Sequence, residues 1–205
     1  MNAPVKQMPQ QDPFRILVSA VLSTRTQDPV TAAASTRLFR LARDPGVLSR
    51  LNPTRVQKLI FPVGFYRTKA QLLPRLARML VTRWGGKVPR TMTELLELPG
   101  VGRKVASIVL SQGYGLPAIA VDTHVQRITN RLDLARTSRP IETERALMEV
   151  LPRRVWKDWN HLLVALGQTI CRPRQPLCPV CPISRLCPKR GTAPNNRRQK
   201  LDAGS

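Results

Sequence analysis

Apolar residues recur at helical spacing over most of the chain. The longest such run begins at Thr68 and ends at Gly85-Gly86, and its apolar positions are Leu72, Leu73, Leu76, Met79 and Leu80. Residues 13–24 are mostly apolar and have the length of a buried helix. No two alternating β-runs flank a turn. The pattern therefore predicts an all-α fold of about ten helices.

The charge of the chain is strongly one-sided. Among 205 residues, 34 are Lys or Arg and 12 are Asp or Glu, which gives a formal net charge of +22. Such a surface attracts polyanions. Ribosomal and histone-like proteins are equally basic, but they usually carry their charge in long tails, whereas here most of it lies within the apolar-periodic segments. We therefore predict a basic globular domain that binds nucleic acid, followed by a disordered basic tail over 191–205.

Nothing in the sequence suggests a membrane or a secretory route. No run approaches the roughly 18 consecutive apolar residues that a membrane span needs. The opening residues, MNAPVKQMPQQDPF, lack the apolar stretch of a signal peptide. We expect an intracellular protein without a membrane partner, cytoplasmic and associated with the nucleoid if it is bacterial.

All four cysteines lie in one short segment, with the spacing C-x6-C-x2-C-x5-C. They are Cys171, Cys178, Cys181 and Cys187. Disulfides would usually join distant parts of a secreted chain. A structural zinc site usually offers two separate C-x2-C pairs, and only one is present here. The spacing therefore favours an iron–sulfur cluster over zinc, and either metal centre over disulfides.

The segment LPGVGRKVASIVL, residues 98–110, is the most informative in the chain. Pro99 ends one helix, and Gly100 and Gly102 permit positive φ and close backbone approach. A new helix begins at once at Arg103, so its unpaired N–H groups form a site for one phosphate. This pattern predicts a helix-hairpin-helix, which binds the DNA backbone without reading bases. An ordinary corner between two helices is the alternative.

Two residues that follow this turn in the sequence, Lys104 and Asp122, are candidates for catalysis. Lys104 lies in the first turn of the new helix, where its amine is a candidate nucleophile or a second phosphate-binding cation. Asp122 follows the apolar stretch 116–121 and begins another predicted helix. It is either a helix N-cap alone or a carboxylate that activates a lysine or stabilises a cationic sugar.

Taken in order, the LPGVGRK turn, the VDTH segment at 121–124 and the cysteine spacing resemble the endonuclease III family. That family comprises bifunctional DNA glycosylases and abasic-site lyases of the helix-hairpin-helix superfamily. The resemblance implies that Lys104 is the nucleophile, that Asp122 is the catalytic carboxylate, and that the four cysteines hold a [4Fe-4S] cluster. The residues expected to contact DNA are Gly100, Gly102, Arg103, His124, Arg172 and Arg174.

The resemblance also implies an architecture and an activity. A six-helix lobe over 14–117 would contain the hairpin at about 91–112. Residues 1–13 and 118–190 would form the iron–sulfur lobe, with the DNA cleft between the lobes. A monomer of this kind excises oxidised pyrimidines from double-stranded DNA through a lysine Schiff base. It then cleaves the strand 3′ to the abasic site by β-elimination.

The resemblance assigns two further residues to the gap that a displaced nucleotide leaves in the duplex. Phe65 falls where the family places a wedge, although its type also suits a core position. Arg25 stands where the family commonly has Gln, and it either fills the gap or binds a phosphate. From the residues alone, a non-catalytic module that binds bent or nicked DNA and an electron-transfer protein remain as other functions.

Overall fold

The computed structural model describes residues 12–192, and within that range every regular element is a helix. The ten α-helices are α1 (Pro13–Ser23), α2 (Asp28–Leu41), α3 (Pro45–Arg50), α4 (Pro53–Ile60), α5 (Tyr66–Trp84), α6 (Met92–Glu97), α7 (Arg103–Ile108), α8 (Thr123–Arg131), α9 (Pro140–Val150) and α10 (Trp156–Thr169). A π-helical turn, Val109–Gly113, continues α7. Two 3₁₀ turns lie at Arg153–Val155 and Cys178–Val180. The predicted all-α class is confirmed for these residues.

Two predicted segments lie largely outside the described residues. Of the N-terminal part of the second lobe, 1–13, only the last two residues are described. Of the basic tail, 191–205, only the first two are described. No helix within 12–192 has the length and apolar character needed to cross a bilayer. The chain forms two compact units that meet in sequence between Ala120 and Val121.

Local sequence explains why the first helices begin where they do. Asp12, Asp44 and Asn52 each stand directly before a helix, and each side-chain oxygen accepts a hydrogen bond from an amide of the first turn. Each is followed by proline, whose fixed φ suits the first helical position and whose missing N–H costs nothing there. These caps fix the starts of α1, α3 and α4.

The core of the first unit surrounds α5. Leu73, Leu76 and Leu80 are fully buried along one face of this helix. α5 packs against α3, α4 and α1, and α1 also packs against α7. Truncating any of these leucines to alanine would cost about 2–5 kcal/mol. Because α7 rests on this core, the hairpin formed by α6, α7 and their connecting turn is held on a rigid base.

The second unit is built from α8, α9 and α10, followed by the cysteine segment 171–187. α8 packs against both other helices. Its buried side chains include Val125 and Ile128, and Leu163 of α10 is buried as well. The cysteine segment begins directly after α10, so the packing of α8 on α10 determines where the first cysteine lies.

Candidate functional site

The hairpin turn between α6 and α7 requires one glycine for its conformation and another for its open surface. Gly100 has φ +77°, and a Cβ there would overlap the side chain of Leu72. Gly102 has φ −98°, so the expected positive φ occurs at only one of the two glycines. A Cβ on Gly102 would meet nothing within 4 Å. The turn therefore presents an open face of backbone at the start of α7.

Lys104 is the second residue of α7 and is partly buried. The two residues before it, Gly102 and Arg103, are exposed, and the two after it, Val105 and Ala106, are buried. α7 thus buries its apolar face in the first unit while its first turn lies at the surface. Lys104 therefore lies where the exposed first turn of α7 meets the buried face of the helix, two residues after Gly102.

Asp122 is the N-cap of α8, as its position in the sequence suggested. Its Oδ1 accepts hydrogen bonds from the backbone N–H groups of His124 and Val125, both at 2.9 Å. Val121 and Val125 on either side are buried, whereas Asp122 is partly exposed. The carboxylate is therefore held in one orientation by the helix that it begins.

The side chain of His124 lies within the second unit against α10. Its Nδ1 is 3.1 Å from Nη2 of Arg127, and that Nη2 also donates to the carbonyl oxygens of Gly167 at 3.3 Å and Cys171 at 2.9 Å. A Cβ on Gly167 would overlap the His124 ring. Burial lowers the pKa of Arg127 from its ordinary value. These contacts connect the start of α8 to the first cysteine.

The four cysteines line a single cavity of about 30 Å³ in the second unit. Apolar side chains of α8 and α10 complete its wall, including Ile128, Leu166 and Ile170. All four thiols are free of disulfides. Among residues 12–192, no three or more His, Cys, Asp or Glu side chains converge tightly enough to ligate one metal ion. The four cysteines therefore surround a shared cavity and do not form a compact site for a single ion.

Arg131 is a buried cation beside this cavity, and sequence reasoning did not single it out. Its Nη1 donates to Sγ of Cys171 at 3.2 Å and to the carbonyl oxygen of Arg172 at 2.7 Å. Its Nη2 donates to the carbonyl oxygen of Pro173 at 2.7 Å. The backbone N–H of Lys189 donates to Sγ of Cys187 at 3.4 Å. N–H donors to cysteine sulfur are typical of the ligands of an iron–sulfur cluster, so these contacts fit such a group.

Arg172 and Arg174 lie between the first two cysteines, and both are exposed. Nε of Arg172 donates to the carbonyl oxygen of Thr169 at 3.2 Å, which holds the base of this side chain against the end of α10. The segment therefore presents cations to solvent from a backbone that the neighbouring helix fixes.

Arg25 and Phe65 are adjacent in the first unit, although 40 positions separate them in the sequence. Both have left-handed backbone, with φ 52° and 57°. Phe65 is 64% exposed, so it is not a core residue. The guanidinium carbon of Arg25 lies 5.9 Å from the centroid of the Phe65 ring. A Cβ on Gly64 would overlap the carbonyl oxygen of Arg25, which shows how closely the two segments approach.

Comparisons with known proteins identify the family. The model for the HhH-GPD superfamily of base excision DNA repair proteins matches residues 18–153. Endonuclease III of Thermotoga maritima is 46% identical over 187 residues, which cover 89% of this chain and 88% of that protein. The chain belongs to the endonuclease III family. Endonuclease III of Bacillus subtilis is 37% identical to this chain over 177 residues, which cover 86% of this chain and 81% of that protein.

A solved member of the endonuclease III family shares the fold. This structure, a trapped endonuclease III–DNA covalent intermediate in an estranged-adenine complex, is 37% identical and has a TM-score of 0.82. The match covers 88% of this chain and 85% of the other. The family resemblance drawn from the hairpin, the VDTH segment and the cysteine spacing is thus confirmed.

Proposed function

We propose that this member of the endonuclease III family is a base-excision-repair DNA glycosylase with abasic-site lyase activity, acting on oxidised pyrimidines in double-stranded DNA. The observation that carries the proposal is the primary amine of Lys104 in the first turn of α7, beside the exposed backbone of the hairpin turn. A hairpin that contacts the phosphate backbone brings the amine close to a sugar of the same strand.

Lys104 is assigned the role of nucleophile. A base within the duplex is out of reach, so the damaged nucleotide first rotates out of the stack. Nζ of Lys104 then forms a bond to C1′, and the bond between C1′ and the base breaks, so the base leaves with the electron pair. Opening of the sugar ring at O4′ gives an imine. Loss of a proton from C2′ then expels the 3′ phosphate by β-elimination, which breaks the strand.

Asp122 is assigned the role of the catalytic carboxylate. Two backbone N–H groups of α8 hold Oδ1, so the carboxylate keeps one orientation as charge develops nearby. In this role it stabilises the positive charge that develops at C1′. Capping and catalysis are compatible, because the hydrogen bonds that cap the helix also orient the carboxylate.

The cysteine segment is assigned to a [4Fe-4S] cluster that supports DNA binding. The four thiols that line one cavity would be its ligands, and Arg131 would donate to one of them. When bound, the cluster supplies a covalent cross-link among the four cysteines rather than a redox step in strand cleavage. Arg172 and Arg174, exposed on this segment, would contact phosphates.

We expect the protein to act as a monomer on chromosomal DNA, in the bacterial nucleoid if the source is bacterial.

A trapping experiment tests the proposed function. The full-length protein is incubated with a duplex that contains one oxidised pyrimidine, and base release, strand cleavage and covalent trapping by borohydride are measured. We expect all three, because borohydride reduces a Schiff base to a stable amine that links protein and DNA. A non-catalytic module would bind the same duplex and give none of the three, and that outcome would overturn the proposal.

Arg25 is expected to favour lesions that lie opposite guanine. Its guanidinium offers donors only, and guanine presents O6 as an acceptor where adenine presents its N6 amino group, a competing donor. We expect base release from an oxidised pyrimidine opposite guanine to exceed that opposite adenine by about tenfold. Arg25→Gln should bring the ratio close to one, because an amide offers either a donor or an acceptor.

Single-turnover base release with each opposite base measures this ratio. Arg55→Gln, an exposed arginine of α4, is the matched control for the loss of one positive charge and should keep the wild-type ratio. If Arg25→Gln lowers both rates equally and leaves the ratio unchanged, Arg25 binds a phosphate instead.

A further inference from the structure

Lys69 is a lysine on the core side of α5, where only 6% of it is exposed. Its Nζ donates to the carbonyl oxygens of Leu22 at 2.8 Å and Thr24 at 2.6 Å, and it lies 3.5 Å from Oγ1 of Thr26. An ammonium has three donors, so these three acceptors satisfy it completely. Leu22 is in the last turn of α1, whereas Thr24 and Thr26 lie in the segment that follows the helix, on either side of Arg25.

The contacts of Lys69 explain why a charge is kept in this position. α1 ends at Ser23, and the last carbonyl groups of a helix have no partner within it. A cation at the C-terminal end of a helix satisfies such carbonyls and interacts favourably with the helix dipole. Burial opposes the charge and lowers the pKa of Lys69 to about 8. A neutral apolar side chain would avoid this cost but would remove the hydrogen bonds that Lys69 donates to the carbonyl oxygens of Leu22 and Thr24.

A second set of contacts joins the same two segments. The backbone N–H of Gly64 donates to Oγ1 of Thr26 at 3.1 Å. Oγ1 of Thr26 in turn donates to the carbonyl oxygen of Thr24 at 3.2 Å. The start of α5 is thus connected to the end of α1 and to the segment after it. This set of contacts, called the Lys69 network below, comprises Leu22, Thr24, Thr26, Gly64 and Lys69.

The Lys69 network lies directly beneath the two exposed residues Arg25 and Phe65. Arg25 stands between two of its acceptors in sequence, and Phe65 follows Gly64. Both residues have the left-handed backbone that non-glycine residues adopt only where the surrounding structure fixes it. Neither side chain is held by burial, since both are exposed. Their positions therefore depend on the backbone contacts of the network.

We propose that Lys69 is a positioning residue that holds Arg25 and Phe65 side by side for joint insertion into the gap left by the displaced nucleotide. This inference rests on the proposed function, because it assigns a role in the same reaction. Lys69 itself touches neither the substrate nor the reacting atoms. It acts through the backbone of the two segments that carry the inserting side chains.

The substitution Lys69→Met tests this inference, because methionine is similar in length and removes all three donors. We compare borohydride trapping rates on an abasic site in a fully paired duplex and on the same site within a bubble of mismatched pairs. In the bubble there is no stacked gap to fill, so insertion contributes little. We expect Lys69→Met to lower the duplex rate by about a hundredfold and the bubble rate by less than about threefold.

Two further variants separate positioning from general stability. Thr26→Val removes the oxygen shared by Gly64 and Lys69, and it should lower the duplex rate about tenfold with the bubble rate preserved. Leu80→Ala, at a fully buried position of the same helix, should lower the melting temperature without changing the ratio of the two rates. A fluorescent adenine analogue opposite the abasic site gives an independent signal, because insertion alters its stacking.

Equal losses on duplex and bubble DNA for both Lys69→Met and Thr26→Val would overturn the positioning role. An unchanged fluorescence response of these variants at saturating protein would overturn it as well. If Lys69→Met does not fold, Thr26→Val gives the same comparison. Failure of the wild-type protein to trap either substrate would instead refute the proposed function, so the two failures are distinguishable.

Discussion

Replacing Lys104 with alanine is expected to abolish borohydride trapping and to slow strand cleavage by at least about ten-thousandfold. The physical reason is that a Schiff base needs a primary amine bonded to C1′, and alanine supplies none at this position. Duplex affinity should fall by less than about tenfold, because most phosphate contacts of so basic a protein remain. Trapping gels and a binding titration on the same abasic duplex measure the two effects.

Two matched variants determine whether the loss reflects the amine or only its charge. Lys104→Arg keeps a positive charge at the start of α7 but supplies a guanidinium, which does not form a stable imine. It should bind like the wild type and trap no DNA. Lys58→Ala removes an exposed lysine of α4 and should retain both activities. Wild-type trapping by Lys104→Ala would exclude Lys104 as the nucleophile.

Helix positions could be predicted because they depend on local signals. Asp122 begins α8 as expected, and the apolar stretch 13–24 forms α1 (Pro13–Ser23). The start of α2 has no such cap, since Asp28 lies inside the helix and Gln27 occupies the N-cap without a side-chain hydrogen bond. Proline at the second position of the helix marks its start as well as a cap would.

The positioning network could not be predicted, because its partners are distant in sequence. Lys69 occupies a position of the apolar face of α5, one turn before Leu73, and this anomaly was the only available signal. It indicates that a lysine is buried, but not that the carbonyl groups of Leu22 and Thr24 receive its hydrogen bonds. The exposure of Phe65 depends on the same tertiary contact, so sequence alone left a core role open.

The cysteine segment shows the same division between local and distant information. The spacing alone predicts that the four cysteines share one site, and the structure places all of them around one cavity. The donor that reaches Cys171 comes from Arg131, 40 residues earlier. In the sequence, an arginine in the last turn of α8 is already explained by its favourable interaction with the helix dipole. Only the packing of α8 on α10 shows that it satisfies the carbonyl groups between the cysteines.

Replacing Cys178 with serine is expected to prevent binding of the proposed [4Fe-4S] cluster and to unfold much of the second unit. The segment 171–187 contains no α-helix and none of the buried hydrophobic residues. Its order would therefore depend on bonds from the four thiolates to one cluster, so that cluster binding and folding are coupled. Wild-type protein should contain about four irons and acid-labile sulfide per chain, and the variant much less of both.

Iron and sulfide analysis, far-ultraviolet circular dichroism and limited proteolysis measure these effects without reference to activity. Ser184→Ala is the matched control, because Ser184 lines the same cavity and lacks a thiol. It should keep wild-type iron content and protease resistance. About one zinc per chain without sulfide would overturn the cluster assignment. Resistance of Cys178→Ser to proteolysis between α10 and Cys187 would show instead that Arg131 and its carbonyl partners hold the segment without metal, since those contacts remain in the variant.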